Sequence, residues 1–133
     1  MSKISKINSL KQIQKHLTAE CFNKLFIGGQ FVDPIDGKKM PTYYPATGEV
    51  FHELPKGNAN DIQAAIRAAE AAWSDGTWAN MPASKRGDLV SRIAQGIEEN
   101  IEVLAAIEAA DVGKPFRQAE MVLGGAASEG KYW

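Results

Sequence analysis

The sequence predicts an α+β fold in which N-terminal β-hairpins are followed by three or four helices. Short β-prone runs separated by turn residues occupy residues 25–54, and apolar residues at spacings of three and four begin after Asn58. No strand pattern recurs between the helical segments. A complete doubly wound fold needs strands that alternate with helices, so this chain cannot build one by itself.

Composition excludes several classes of protein. The 133 residues carry 15 Lys and Arg against 16 Asp and Glu, a net charge of −1, whereas nucleic-acid-binding domains normally show a clear positive excess. A single cysteine excludes an internal disulfide framework and fits a reducing compartment. No apolar run approaches the ~18 residues of a membrane span, and lysines interrupt the N-terminus where a signal peptide needs an apolar core. We therefore expect a cytoplasmic globular protein without nucleic-acid or membrane partners.

Residues 1–24 are expected to form an N-terminal arm. Four lysines and His16 precede the first acid, Glu20. A basic amphipathic helix could contact a membrane surface or a partner, or be a mitochondrial transit peptide, but transit peptides favour arginine and this segment has none. The favoured interpretation is an arm that packs on a neighbouring surface. Its apolar residues at helical spacing are Ile4, Ile7, Leu10, Ile13 and Leu17.

Two hairpins should follow. Residues 25–27 and 30–32 flank Gly28-Gly29, the residue pair that favours a two-residue hairpin turn. Residues 33–37 form a turn cluster in which Pro34 and Gly37 set the backbone. The second hairpin has strands at Thr42-Tyr43-Tyr44 and Glu49-Val50-Phe51-His52, a turn at Pro45-Ala46-Thr47-Gly48, and an end at Pro55.

Asn58 and Asp61 predict a capping box at the start of the first long helix, which Gly76 should end. Pro82 and Ser84 can open the next helix, and a change in the apolar stripe predicts a break near Asn100. Since no strand is available to cover these helices, we infer that their natural cover lies in residues that this chain lacks. The predicted stripes are Ile62, Ala65, Ile66, Ala69, Ala72 and Trp73; Leu89, Val90, Ile93, Ala94 and Ile97; and Ile101, Leu104, Ala105 and Ile107.

The last helix should begin at Pro115, because Gly113 is well placed to end the preceding segment. Gly124-Gly125 should weaken this last helix. Its apolar residues are Phe116, Ala119, Val122, Leu123 and Ala126.

No catalytic constellation is evident. Cys21 and His16 lack an orienting acid and an oxyanion hole, and two histidines with one cysteine do not define a zinc site around His52. Lys114 lies beside a helix start and could meet a phosphate, but neither a G-x-G-x-x-G nor a P-loop motif is present. The carboxylates Glu98, Glu99, Glu102 and Glu108 are interpreted as a solvated face, and Trp73, Trp78, Trp133, Tyr43 and Tyr44 as packing residues.

In order along the chain, these segments resemble the N-terminal part of the aldehyde dehydrogenase superfamily. The resemblance covers about residues 25–133 and departs from the family at Tyr44, where an Asn is usual, and at Gly124-Gly125. Its matching pieces are Leu25-Phe26-Ile27-Gly28-Gly29-Gln30-Phe31-Val32, Gly37-Lys38-Lys39, Pro45-Ala46-Thr47-Gly48-Glu49-Val50, Asp61 before the first long helix, Trp78, Arg86, Ile97-Glu98-Glu99-Asn100 and Asp111-Val112-Gly113-Lys114-Pro115.

The resemblance implies an α/β family fold, of which residues 25–133 would be an incomplete cofactor-binding domain. Such enzymes oxidise aldehydes to acids with NAD or NADP through a cysteine thiolate and a glutamate, and the complete enzyme would be a homo-oligomer. The resemblance places those catalytic and cofactor-contacting residues beyond Trp133, and Cys21 does not match the nucleophile's surroundings. It also implies a structural Na⁺ or K⁺ held by oxygens of Thr42, Tyr43 and Asp111, although Asp111 could simply cap a helix end or form a salt bridge.

The resemblance thus predicts the N-terminal segment of an NAD(P)-dependent aldehyde dehydrogenase that lacks the catalytic machinery and is inactive alone. The alternative is a truncated paralogue that acts as an interaction module through its exposed helix faces.

Overall fold

The computed structural model describes residues 9–132, and the order of its elements confirms hairpins followed by helices. A short 3₁₀ helix at Glu20–Phe22 links the arm to the first hairpin. Within residues 9–132 no strand lies between the long helices that follow the hairpins, as predicted. The elements are α1 Leu10–His16, β1 Leu25–Ile27, β2 Gln30–Val32, β3 Lys39–Tyr43, β4 Val50–Pro55, α2 Ala59–Ser74, α3 Ala83–Glu99, α4 Ile101–Val112 and α5 Phe116–Tyr132.

The strands form two separate antiparallel hairpins, β1–β2 and β3–β4. Gly28 and Gly29 both have positive φ, 61° and 79°, as a two-residue turn with matching twist requires. The strand β3 begins at Lys39, three residues earlier than predicted, and runs through Pro41. A proline is tolerated there because each strand of a two-stranded sheet has a free edge.

The largest buried cluster joins the arm to the second hairpin and α4. Ile13 and Leu17 lie against Phe51 of β4 and against two alanines of α4, Ala106 and Ala110. Gln14 Nε2 donates to the Phe51 carbonyl at 3.0 Å, which ties α1 to the strand backbone. The interpretation of the arm as a packing segment is therefore confirmed for its described part, while Ile4 and Ile7 lie outside the described residues.

The helix α5 packs against both α3 and α4 through small side chains. Ala94 of α3 is 1% exposed, and a Cβ added to Gly130 of α5 would lie 3.0 Å from the Ala94 Cβ. The predicted apolar faces are partly wrong, because Ile93 is 67% and Val122 is 49% exposed and Ala126 is also exposed. Close approach of the helix backbones favours small residues, so α5 buries Ala119, as predicted, and Ala127, which was not predicted.

The helix boundaries follow the predicted signals. α3 ends at Glu99 with Asn100 as its cap, and α4 ends at Gly113, whose φ is 71°. α2 ends before Gly76, and the Thr77 N–H donates to Asp75 Oδ1 at 2.7 Å, which lowers the pKa of that carboxyl. The prediction that Gly124-Gly125 weakens the last helix is not reflected in a break, because α5 runs without interruption through both glycines. No helix in the described range is long and apolar enough to span a bilayer.

Candidate functional site

The candidate site lies where β3 meets the end of α4. The Thr42 hydroxyl donates to Asp111 Oδ1 at 2.5 Å, although 69 residues separate the two along the chain. A hydrogen bond to a carboxylate is among the stronger kinds, so this contact fixes the strand against the helix end. Structure therefore brings together two of the three residues that the resemblance implied as cation ligands.

Backbone geometry explains how the two side chains meet. A bulge between Thr42 and Tyr43 alters the register of the β3–β4 hairpin. On the other side, Gly113 ends α4 in the left-handed conformation and packs closely on the turn that follows β3, since an added Cβ would lie 3.1 Å from the Pro45 Cβ. Asp111 is thereby held in the last turn of its helix, beside Thr42.

The donor set at this junction fits a hard monovalent cation. Asp111 supplies a carboxylate and Thr42 a hydroxyl oxygen, and the carbonyls at the C-terminal end of a helix carry partial negative charge. Tyr43 follows Thr42 in β3 and is 53% exposed. Residues 9–132 contain no cluster of three or more His, Cys, Asp or Glu side chains suited to a metal ion.

His52, which the sequence considered only for a zinc site, shows a further feature in the structure. It pairs with Thr42 across the β3–β4 hairpin, and cross-strand partners lie on the same face of a sheet. Its Nε2 is buried and has no hydrogen-bond partner within the described range. Buried polar atoms are usually paired, so this nitrogen is an exception among the described residues.

Cys21 and His16 lie near each other in the structure, but they do not form a catalytic arrangement. Both line an open apolar hollow of about 450 Å³ between the arm and the α3–α4 junction. Cys21 is a free, exposed thiol, and no hydrogen bond joins it to His16 in the described structure. The geometry supplies neither the activated thiol nor the orienting acid that a cysteine nucleophile needs.

The prediction of a solvated carboxylate face is confirmed for Glu98 and Glu99, which are exposed, whereas Glu102 and Glu108 are half-buried. Glu98 pairs with Lys131, and Glu99 accepts from Gln95 at 2.7 Å. Glu108 accepts a hydrogen bond from Lys114 at 2.6 Å. This ion pair engages the lysine that the sequence analysis considered as a phosphate ligand. Trp73 and Trp78 are 79% and 50% exposed, so they are wrong as packing residues within this chain, and Trp133 lies outside the described residues.

The described residues do not fit a nicotinamide cofactor. Within residues 9–132, the junction at which a strand leads into a helix is that of β4 and α2. The capping box of Asn58 and Asp61 occupies that helix start, with the Asn58 N–H donating to Asp61 Oδ2 at 2.8 Å. A buried carboxylate at this position repels phosphate, so we derive no cofactor chemistry from these residues.

Comparison with known proteins agrees with these observations. The aldehyde dehydrogenase family matches residues 31–133. The mitochondrial benzaldehyde dehydrogenase of Antirrhinum majus is 43% identical over 101 residues, 76% of this chain and 19% of that protein. The mitochondrial aldehyde dehydrogenase of Rattus norvegicus is 42% identical over 95 residues, 71% of this chain and 18% of that protein. This chain therefore spans about one fifth of the length of these curated relatives.

A solved structure extends the match to the fold. Betaine aldehyde dehydrogenase of Staphylococcus aureus in complex with NAD⁺ superposes with a TM-score of 0.86 at 26% identity, over 92% of this chain and 24% of that one. Tyr44, a departure from the family pattern, packs against the cluster around Phe51, so the change is accommodated in the core. The family match, the identities and the shared fold together show that this chain belongs to the aldehyde dehydrogenase family.

Proposed function

We propose that this chain is the N-terminal part of an NAD(P)-dependent aldehyde dehydrogenase that oxidises an aldehyde to a carboxylic acid, and that it is inactive alone. Its hairpins and helices would begin the cofactor-binding domain and brace the nucleotide-binding sheet. Family membership and coverage of about one fifth of the relatives support this proposal. A single observation carries it: the folded chain leaves far more surface exposed than a complete domain does.

The accessible surface of this chain can be compared with that of a complete folded monomer of the same mass. The accessible surface is 9577 Å², whereas a folded monomer of 14.4 kDa exposes roughly 6,800 Å². Even if the nine residues outside the described range are assigned a full extended-chain surface of roughly 1,400 Å², an excess of about 1,300 Å² remains. No large side chain of the described range is fully buried. This excess of exposed surface supports the proposal that further residues complete the domain.

Purified 1–133 is expected to produce no NADH or NADPH from benzaldehyde or betaine aldehyde with either oxidised cofactor. The described residues bring together neither an activated thiol nor a phosphate-binding loop, which is the reason for this expectation. The check is cofactor absorbance over time, with the intact Antirrhinum enzyme as positive control. Reduced cofactor formed by this chain, and abolished by Cys21→Ala, would contradict the proposal.

We also propose that Thr42, Tyr43 and Asp111 contribute oxygens to a structural Na⁺ or K⁺. The 2.5 Å contact between Thr42 and Asp111 and the adjacent helix C-terminus support it. The ion would supply no chemistry to the substrate. Its role would be to hold the β3–β4 hairpin against α4.

Asp111→Asn is expected to remove the response of this chain to K⁺ or Na⁺. The wild-type midpoint of thermal unfolding should rise when choline chloride is replaced by KCl or NaCl at equal ionic strength, because an ion that binds only the folded state stabilises it. The variant should also lose about 1 kcal/mol from its weakened bond to Thr42. Asp75→Asn, another carboxylate at a helix end, is the control and should keep the response. A wild-type midpoint that ignores the cation would refute the site.

Cytoplasmic location and homo-oligomeric assembly of the complete enzyme belong to the same proposal. The single cysteine fits a reducing compartment and supports a cytoplasmic location. Several relatives are named as mitochondrial enzymes. Fluorescence microscopy of the native protein, tagged at its C-terminus, would distinguish the two compartments.

The second candidate function is that of an interaction module, a shortened paralogue that docks on another subunit. The observation in its favour is the exposed apolar face of α2. Both functions require that face to be covered, but only the first requires dehydrogenase activity once the cover is in place.

A further inference from the structure

The β3–β4 hairpin contains one residue that the strand pairing leaves out. Thr42 pairs with His52 and Tyr43 pairs with Val50, so Phe51 has no partner across the hairpin. If the pairing continued without a bulge, Tyr43 would lie opposite Phe51, and a change of register by one residue moves side chains to the other face of a sheet. The bulge at Phe51 therefore decides which side chains of β3 and β4 share a face.

The N-terminal arm binds this bulged residue at both its backbone and its side chain. Gln14 Nε2 donates to the Phe51 carbonyl at 3.0 Å. A bulge disrupts the ladder locally, and an amide side chain can supply the hydrogen bond that the extra residue does not receive from the opposite strand. Ile13 and Leu17 lie in the same buried cluster as the Phe51 ring. The arm thus holds the bulge in place.

The same bulge borders the candidate cation site. Thr42, whose hydroxyl donates to Asp111 Oδ1, lies opposite the bulged segment. The Phe51 ring is 5% exposed and packs with Ala106 and Ala110 of α4, and Ala110 directly precedes Asp111. Phe51 is therefore connected to both oxygen-bearing residues, to one through strand pairing and to the other through α4.

We infer that Gln14 is a positioning residue for the cation site, and that docking of the arm and binding of Na⁺ or K⁺ stabilise each other. The inference rests on the proposed cation site. Gln14 touches neither Thr42 nor Asp111; it acts by holding the Phe51 carbonyl, which keeps the bulge and hence the position of Thr42.

Two properties of the arm suit it to such coupling. The helix α1 has only 7 residues, and so short a helix is not stable without the surface on which it packs. A coupling free energy between two sites acts in both directions, so an ion that favours the bulge also favours the docked arm. The family match begins at residue 31, so Gln14 lies outside it.

The test measures the KCl concentration that gives half of the maximal rise in the thermal midpoint of the full chain, with choline chloride keeping the ionic strength constant. Gln14→Glu keeps the size of the side chain but removes the N–H donor. It should require about fivefold more KCl than the wild type, since the net contribution of one hydrogen bond corresponds to a factor of about that size. Gln14→Lys restores a donor and should return the wild-type value.

This pair of variants separates positioning from a simple effect of charge. A negative charge near the site should strengthen cation binding and a positive charge should weaken it, which is the opposite of the result expected here. Lys15→Ala, the next and exposed residue of α1, is the matched control and should not change the half-maximal concentration.

A second measurement does not depend on how well the Gln14 variants fold. Trypsin can cleave after Lys15 only when α1 leaves the surface, so the rate of that cleavage reports the undocked arm. Replacement of choline chloride by KCl should slow the cleavage of the wild type by a similar factor of about five, because the coupling is reciprocal. The rate for Asp111→Asn should be the same in both salts.

The outcomes distinguish this inference from the proposal on which it rests. A Gln14→Glu variant whose midpoint falls equally at every KCl concentration has lost only stability, and that result rejects the coupling but keeps the cation site. Cleavage of the wild type at the same rate in both salts, in a chain whose midpoint does respond to KCl, rejects the coupling as well. A wild-type midpoint that does not respond to KCl or NaCl rejects the cation site and this inference together.

Discussion

Replacement of Phe51 by alanine is expected to lower the free energy of unfolding of this chain by about 3–5 kcal/mol. The Phe51 ring is 5% exposed and connects Ile13 and Leu17 of the arm to Ala106 of α4. Its neighbours lie on three different elements, so the cavity cannot close by a local shift. Because whole domains are stable by only about 5–15 kcal/mol and this chain has an incomplete core, the variant should be largely unfolded at room temperature.

The measurement is urea unfolding followed by circular dichroism, with Phe26→Ala as the control. Phe26 is the same residue type in a strand, but it is 65% exposed and touches Phe31 with ring centroids 5.0 Å apart. Its loss should cost about 1 kcal/mol or less. Similar losses for the two variants would mean that the arm, β4 and α4 do not share a core.

Ala94→Leu is expected to destabilise the chain by about 1–3 kcal/mol, through overpacking. Ala94 is 1% exposed, and the Gly130 position is so close that even an added Cβ would approach it to 3.0 Å. The three extra carbon atoms of leucine must push α5 away from α3. That movement would also disturb Ala127, which is fully buried.

Gly125→Ala provides the control on the other helix of this contact. A Cβ at Gly125 would have no neighbour within 4 Å, and Gly125 lies in the interior of α5. Alanine should therefore stabilise the chain by about 0.5–1 kcal/mol through helix propensity. Thermal unfolding of both variants checks the pair. A neutral Ala94→Leu would show that α3 and α5 are not in close contact.

Helix starts and ends were predictable because their causes are local. The capping box at Asn58 and Asp61, the stop at Gly76 and the break at Asn100 each depend on residues within one turn of the chain. The early start of β3 was not predicted, since Pro41 is a poor strand residue and is tolerated only because the sheet has two strands.

The candidate site could not be derived from local patterns. Thr42 and Asp111 are 69 residues apart, and only the resemblance to the family suggested that they belong together. Their contact depends on how the turn at Pro45 packs on the end of α4 at Gly113. His52 carried no distinctive pattern of its own, and its unpaired Nε2 became visible only once β4 was paired with β3.

Periodicity and turn chemistry established which segments are helices, which are hairpins, and that the helices carry apolar faces without strands to cover them. The direction in which those faces point was decided by packing. Periodicity predicts that Ile62, Ile66 and Trp73 share one side of α2. In the structure, α2 packs on the hairpin with its other side, whose residues are small enough for close backbone approach. The same competition turned Ala119 and Ala127 inward on α5 and left Val122 outside. The hydrophobicity of a residue can be taken from the sequence, whereas the packing of two elements depends on the shapes of both contacting surfaces.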